Sequence, residues 1–179
     1  AITMSATTVN ENDAGAVIGT LDFADPDDGD TVTYTVSDDR FEVVDRALKL
    51  KDGQSLNFET ADTVTIEITA TDSGGLNITE TVTITIDDVN EAPSDISLNN
   101  ETVTENEMGA TIGTLTSTDE DDGDTHSYSV SDDRFEIVDN QLKLKDGQYL
   151  DHNIETLVTI DVTTTDAGGL TYTETFTIS

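Results

Sequence analysis

The sequence predicts an all-β chain: two tandem Greek-key β-sandwiches of about seven strands each, arranged end to end in an extended row. Three observations carry this. The first is repetition. Val9-Asn10-Glu11-Asn12 returns as Val103-Thr104-Glu105-Asn106, and Leu48-Lys49-Leu50-Lys51-Asp52-Gly53-Gln54 returns as Leu142-Lys143-Leu144-Lys145-Asp146-Gly147-Gln148, both 94 positions later. A period that long is a domain rather than a short solenoid unit. The second is strict two-residue alternation of apolar side chains with Thr or Glu through Val64–Ala70 and Val82–Ile86. That is the pattern of a strand with one face buried. The third is punctuation by Asp28-Gly29-Asp30, Asp52-Gly53 and Ser73-Gly74-Gly75, with no helical period between them.

The elements follow in order. Val17–Phe23, Thr31–Val36, Phe41–Val44 and Ala47–Leu50 are short strands, followed by the two long alternating runs. Each recurs 94 residues on, where Val158, Ile160 and Val162, then Phe176 and Ile178, repeat the inward pattern. Thr on the outward positions suits strands with a solvated face. Asp87-Asp88-Val89-Asn90-Glu91-Ala92-Pro93 ends the first copy, giving domain one over 1–88, a linker over 89–94 and domain two over 95–179. The sequence begins and ends inside its own repeat, which is the expectation for a two-domain piece of a longer row.

Charge narrows the function. Against 39 Asp plus Glu stand 7 Lys plus Arg, a formal net charge of −32. Nucleic acid is excluded as a partner, because no basic patch exists to meet phosphates, and the same lack disfavours an anionic membrane surface. Self-repulsion of this size opposes a compact state unless the charge is solvated or neutralised by cations. High charge with low hydrophobicity also marks disordered chains, but here the apolar residues are organised into strands. With no cysteine, neither a disulfide nor a thiolate site is available. No signal peptide or membrane-spanning apolar stretch occurs, so no membrane insertion is expected in this fragment.

Hard divalent cations take six to eight oxygens from carboxylates, amides, carbonyls and water. Short runs of such donors occur at Asp25-Pro26-Asp27, Asp119-Glu120-Asp121, Asp72, Asp166, Glu11, Glu105 and the linker. None forms an EF-hand loop, so a site has to be assembled from separate segments, and the domain junction is its expected place.

Along essentially its whole length the chain resembles cadherin repeats of the bacterial, cadherin-like form. The family's early Glu matches Glu11 and Glu105, and its Asp-x-Asp matches Asp25/Asp27 and Asp119/Asp121. Its Leu-Asp-Arg-Glu is matched loosely by Leu56-Asn57-Phe58-Glu59, and its Ala-x-Asp by Ala70-Thr71-Asp72 and Thr164-Thr165-Asp166. Its linker is matched by Asp88-Val89-Asn90-Glu91-Ala92-Pro93, one residue shorter and with Glu for the second Asp. The resemblance implies two or three Ca2+ ions at the junction. Their ligands would be Glu11, Asn57, Glu59, Asp88, Asn90, Glu91, Asp119, Asp121 and Asp166, with the carbonyls of Val89 and Ala92. Subsidiary candidates at the outer ends are Asp25, Asp27, Asp72, Glu105, Asp151 and Glu155. Two departures stand out: Asn57 replaces a charged ligand, and Leu150-Asp151-His152-Asn153-Ile154-Glu155 carries its Glu two residues late.

Other chemistries have less footing. His126 and His152 are unpaired between copies and read as surface residues rather than zinc or catalytic groups. No nucleophile–base–acid order repeats, so no enzyme is expected. Tyr34 and Tyr128, like Phe41 and Phe135, are equivalent and read as core, whereas Tyr149 and Tyr172 belong to the second copy alone and are the candidates for recognition. Asn77-Ile78-Thr79 and Asn100-Glu101-Thr102 fit glycosylation acceptors, which carry no meaning in a bacterial protein. Lys49 and Lys51 read as strand-face lysines beside acidic neighbours rather than isopeptide donors. The expected function is a calcium-rigidified extracellular spacer or adhesion module of a large surface or secreted adhesin. Its partners would be neighbouring repeats of the parent chain, with a cell-surface or matrix polysaccharide or a like domain beyond them. The alternatives are a carbohydrate-binding or homophilic-binding module, and acidity that serves only solubility.

Overall fold

The computed structural model describes residues 1–24 and 31–179, which divide into two units, Ala1–Val89 and Asn90–Ser179. In unit 1 the chain runs through β1 (Ile2–Met4), β2 (Thr8–Asn10), β3 (Val17–Phe23), β4 (Thr33–Val36), β5 (Phe41–Val44), β6 (Ala47–Leu50), β7 (Thr63–Thr71) and β8 (Asn77–Asp87). These form two four-stranded sheets, ordered β1-β3-β6-β5 and β2-β8-β7-β4. Ile66, Ile68, Ala70, Ile84 and Ile86 point inward and are at most 2 % exposed, while the Thr residues between them face solvent. Leu48 and Leu50 meet them from the other sheet at 0 % exposure. Burying a side chain of this size contributes about 1.5–3 kcal/mol.

The first strand is shared between both sheets. β1 pairs antiparallel with β3, the chain crosses over at Ser5–Thr7, and β2 then pairs parallel with β8 in the register Thr8↔Thr85 to Asn10↔Asp87. The crossing passes directly over Gly19, where a Cβ would lie 2.6 Å from the Ala6 carbonyl oxygen. Only glycine fits there, and β3 carries a register shift beside it, between Val17 and Gly19. The β5–β6 hairpin closes on two residues, Asp45 and Arg46, with φ of 48° and 66°, as a two-residue loop matched to strand twist requires.

Unit 2 contains β9 (Asp95–Leu98), β10 (Thr111–Thr118), β11 (Ser127–Val130), β12 (Phe135–Val138), β13 (Gln141–Leu144), β14 (Val158–Thr165) and β15 (Thr171–Ile178). Its sheets are ordered β12-β13-β10-β9 and β11-β14-β15. In the place of β2, residues 101–103 make two backbone bonds with the chain end: Ser179 N–H donates to Glu101 O and Val103 N–H to Ser179 O, each at 2.9 Å. Gly113 repeats the close approach of Gly19, here to Asn100 O at 2.8 Å.

The all-β, tandem-sandwich prediction therefore holds, with changes at element ends. β4 begins at Thr33 rather than Thr31, and β11 at Ser127 rather than Thr125. β8 begins at Asn77 rather than Val82. Ile78 continues the inward alternation, which Glu80 interrupts in the sequence while holding its place opposite Ile68. Phe41 and Phe135 are core residues at 3 % and 1 % exposure, and Tyr34 and Tyr128 pack against the same cores.

Candidate metal centre

In unit 1, parallel pairing carries β2 to the end of β8, and Glu11 follows at once, its N–H donating to Asp87 O at 3.1 Å. Leu56, 3 % exposed, plugs the core nearby and its carbonyl takes Asn12 N–H, which seats the turn over 57–61 beside Glu11. The Glu11 carboxylate is only 2 % exposed. Its Oε2 accepts Phe58 N–H and its Oε1 accepts Val89 N–H, both at 2.9 Å, so one side chain ties the turn to the end of the last strand. Asn57 Oδ1 accepts Thr60 N–H at 2.7 Å and caps the turn from within.

Glu59 and Asp88 complete this set. Carboxylate oxygens of Glu11 and Glu59, and of Glu59 and Asp88, lie within 4.8 Å of one another. The backbone N–H of Glu59 draws its own carboxyl down, but desolvation and the carboxylates of Glu11 and Asp88 outweigh it and hold Glu59 above the ordinary carboxylate value. An all-oxygen set under mutual repulsion fits calcium by the chemistry of its donors.

Unit 2 holds a second set, built on the linker residues at its start. Asn90 Nδ2 donates to Asp166 Oδ2 and to Glu91 O, both at 3.0 Å. Its side chain lies close against Gly168, where a Cβ would overlap the Asn90 amide. Glu91 N–H donates to Asp121 Oδ2 at 3.0 Å, and Asp121 N–H to Asp119 Oδ1 at 3.2 Å. Asp166 is 6 % exposed, and Leu170 N–H donates to its Oδ1 at 2.7 Å. Burial pushes its carboxyl up, but the Asn90 amide and the N–H groups of Leu170, Gly169 and Gly168 together hold it below its ordinary value.

His126 is not the surface residue the sequence suggested. Its side chain is 14 % exposed and its Nε2 lies 2.8 Å from Oδ2 of Asp119, itself 4 % exposed. The signal was present in the alignment of copies, since the same position in unit 1 is Val32, packed against the core. Gly168 and Asp124 were also missed: the one matters only through the close approach of Asn90, the other only through its neighbours across a turn.

The subsidiary candidates part company. Asp25 and Asp27 lie outside the described residues. Asp72 Oδ1 accepts Leu76 N–H at 2.9 Å, as Asp166 does from Leu170. In unit 2, Glu105 is exposed and accepts His152 N–H at 3.2 Å. Asp151 Oδ1 caps Asn153 N–H at 2.9 Å, and Glu155 Oε2 accepts from Arg134 Nη1 at 2.9 Å. Glu105 and Glu155 line one cleft of about 260 Å³ with Leu150 and Val158, so this end is partly apolar. Of the recognition candidates, Tyr149 is 50 % exposed. Tyr172 packs against the core and its hydroxyl donates to Glu174 Oε2 at 2.8 Å, which removes it from the exposed surface the sequence placed it on. Lys49 pairs with Asp52 at 3.0 Å and Glu42 at 3.5 Å, in accord with its reading as a strand-face lysine.

No protein-family profile matches the sequence, and no curated protein does. Solved structures do match. Drosophila N-cadherin, extracellular domains 1–4, superposes with a TM-score of 0.73 at 21% identity, over 99% of this chain and 49% of that one. Human protocadherin-24, domains 1–2, gives 0.69 at 20% identity, over 99% and 97%. Protocadherin gamma B7, extracellular cadherin domains 1–4, gives 0.66 at 23% identity, over 99% and 49%. The chain thus spans about half the length of the N-cadherin and gamma B7 structures. At these identities the likeness is one of fold: the chain is built like a pair of cadherin extracellular domains.

Proposed function

We propose that this chain is a calcium-rigidified pair of cadherin-like repeats, an extracellular spacer or adhesion module within a large surface or secreted adhesin, without enzymatic activity. The observation that carries the reading is Glu11: an acidic residue 2 % exposed, fixed by two backbone N–H groups, with Glu59 beside it and Asp88 beside Glu59. Glu11, Glu59 and Asp88 would hold calcium from unit 1, with Asn57 as a neutral neighbour. Asn90, Glu91, Asp119, Asp121 and Asp166 would supply unit 2. Asp88-Val89-Asn90-Glu91 is one unbroken run contributing to both sets, so two or three shared ions would stiffen the linker into an extended spacer. Calcium supplies the positive charge that crowded carboxylates lack and accepts six to eight oxygens; the residues fix the ligand directions through the backbone bonds already described.

Ions that bind only the ordered state stabilise it by mass action, about 2.7 kcal/mol per ion at a hundredfold excess over Kd. Chelation should therefore lower the melting temperature by on the order of 10 °C and broaden the small-angle scattering profile. A melt and profile both unchanged in excess chelator would sink the reading.

A recognition role has one observation of its own, the exposure of Tyr149 at 50 % beside Ile154 at 84 %. Protocadherin gammaB7 domains 3–6 are described as a cis-dimer, and a like domain is the corresponding partner class here, with polysaccharide as the other. A glycan array and sedimentation, with and without calcium, separate these from a passive spacer. Binding abolished by Tyr149→Ala would favour recognition.

A further inference from the structure

We propose that Asp119, Asp124 and His126 form a binding site for a borderline divalent ion of the zinc type, present in unit 2 alone and additional to any calcium the chain holds. One ligand atom from each residue, two carboxylate oxygens and an imidazole nitrogen, lies within 4.8 Å of the other two. Ligands on a tetrahedral zinc at about 2.0–2.1 Å are about 3.3 Å apart, so closing the set takes side-chain shifts of about an ångström.

The nitrogen sets this group apart from the carboxylate sets. Calcium selects oxygen, whereas imidazole suits zinc, copper and nickel. The position is also sheltered: the His126 and Asp119 side chains are 14 % and 4 % exposed. Asp119 can serve here without leaving its other role, since Oδ1 faces Asp121 N–H and Oδ2 faces His126. Asp124 is held by Thr125 N–H on Oδ1 at 2.6 Å and by Ala167 N–H on Oδ2 at 3.3 Å, which orients its carboxylate. The fold itself does not call for a histidine, because the first copy builds the same sandwich with Val32 in that place. Zinc with three protein ligands keeps a fourth position for water or a partner's side chain.

The test is calorimetric titration of the full chain with Zn2+, in excess Ca2+ and again without it. The wild type should show one saturable zinc step that persists in excess calcium. His126→Asn should weaken that step at least about tenfold, while His152→Asn should leave it unchanged. His126→Val, which installs the residue of the first copy, provides a second variant if His126→Asn melts early. The proposal is overturned by the absence of a saturable step, by zinc binding as tight as wild type in both His126 variants, or by loss of the zinc step in excess calcium. A calcium titration in the same series fails or succeeds independently, so the two readings are separable.

Discussion

Glu11 and Glu105 stand at the same place in their repeats and meet different surroundings. Glu11 is 2 % exposed, takes N–H groups from both Phe58 and Val89, and has Glu59 beside it. Glu105 is exposed and takes one, from His152. The difference begins with a two-residue displacement. Asn153 stands where unit 1 has Glu59, and the late Glu155 is drawn to Arg134, whose counterpart Arg40 faces Asp38. One end of unit 1 is thus a repelling oxygen cluster, and the matching end of unit 2 is a paired, partly apolar cleft. The backbone frame of a repeat does not decide whether its carboxylates gather; the position of one glutamate does.

The largest effect that could break this comparison is at the two glutamates themselves. Glu11→Ala removes the acceptor of two part-buried N–H groups and should cost unit 1 about 1–3 kcal/mol even in chelator. Glu105→Ala should cost unit 2 less than about 0.5 kcal/mol. Equal losses in denaturant melts would show the two sites to be alike.

Next come the turn glycines. Gly168→Ala would displace Asn90 from Asp166 and should cost about 1–3 kcal/mol. At Gly74, the equivalent in unit 1, the nearest contact is the movable Asp72 Oδ1 at 3.3 Å, and Ala should be tolerated. Thermal melts of both variants test this.

A smaller contrast lies in the cores. Ser117 Oγ donates to Tyr128 Oη at 2.8 Å, with Thr164 Oγ1 at 2.7 Å. Unit 1 has Phe23 and Ala70 at those positions, and the buried Tyr34 hydroxyl has no hydrogen-bond partner among the described residues. Tyr128→Phe should cost about 1 kcal/mol, whereas Tyr34→Phe should be neutral or stabilising. A loss at Tyr34 would contradict it.

Smallest is the Arg134 pair. The Arg134 guanidinium holds Asp132 below the usual carboxylate range. That stabilisation is present above the ordinary Asp value and fades as pH falls through the lowered one. Glu155→Gln, removing the exposed second partner, should cost about 0.2–1 kcal/mol near neutrality, with Asp132 still paired. Urea melts of the variant at neutral and acid pH check both parts.

Much of this was legible in the sequence because strands announce themselves by period. Val64–Ala70 and Val158–Val162 alternate without interruption, and the 94-residue repeat carried each assignment to its twin. Glu11, Glu59, Asp119, Asp121 and Asp166 were legible as oxygen donors from repetition and resemblance together. What escaped depends on contacts rather than pattern. The splitting of the first strand into β1 and β2 leaves too few residues to show a period. The docking of Asn90 on Gly168 joins positions far apart in the chain. His126 was read as a lone polar residue because its partner, Asp119, lies across a turn whose path the sequence does not specify.

The parallel pairing of β2 with β8 has a mechanical side. The second strand of unit 1 and the strand that ends it run the same way, over Thr8↔Thr85 to Asn10↔Asp87. Tension applied between the two ends of that unit pulls these strands past each other, so their hydrogen bonds are strained together in shear instead of being unzipped singly. The Ala6–Gly19 crossing that permits the arrangement therefore places a force-bearing clamp directly behind β1, the first strand that a pull on the chain start would meet.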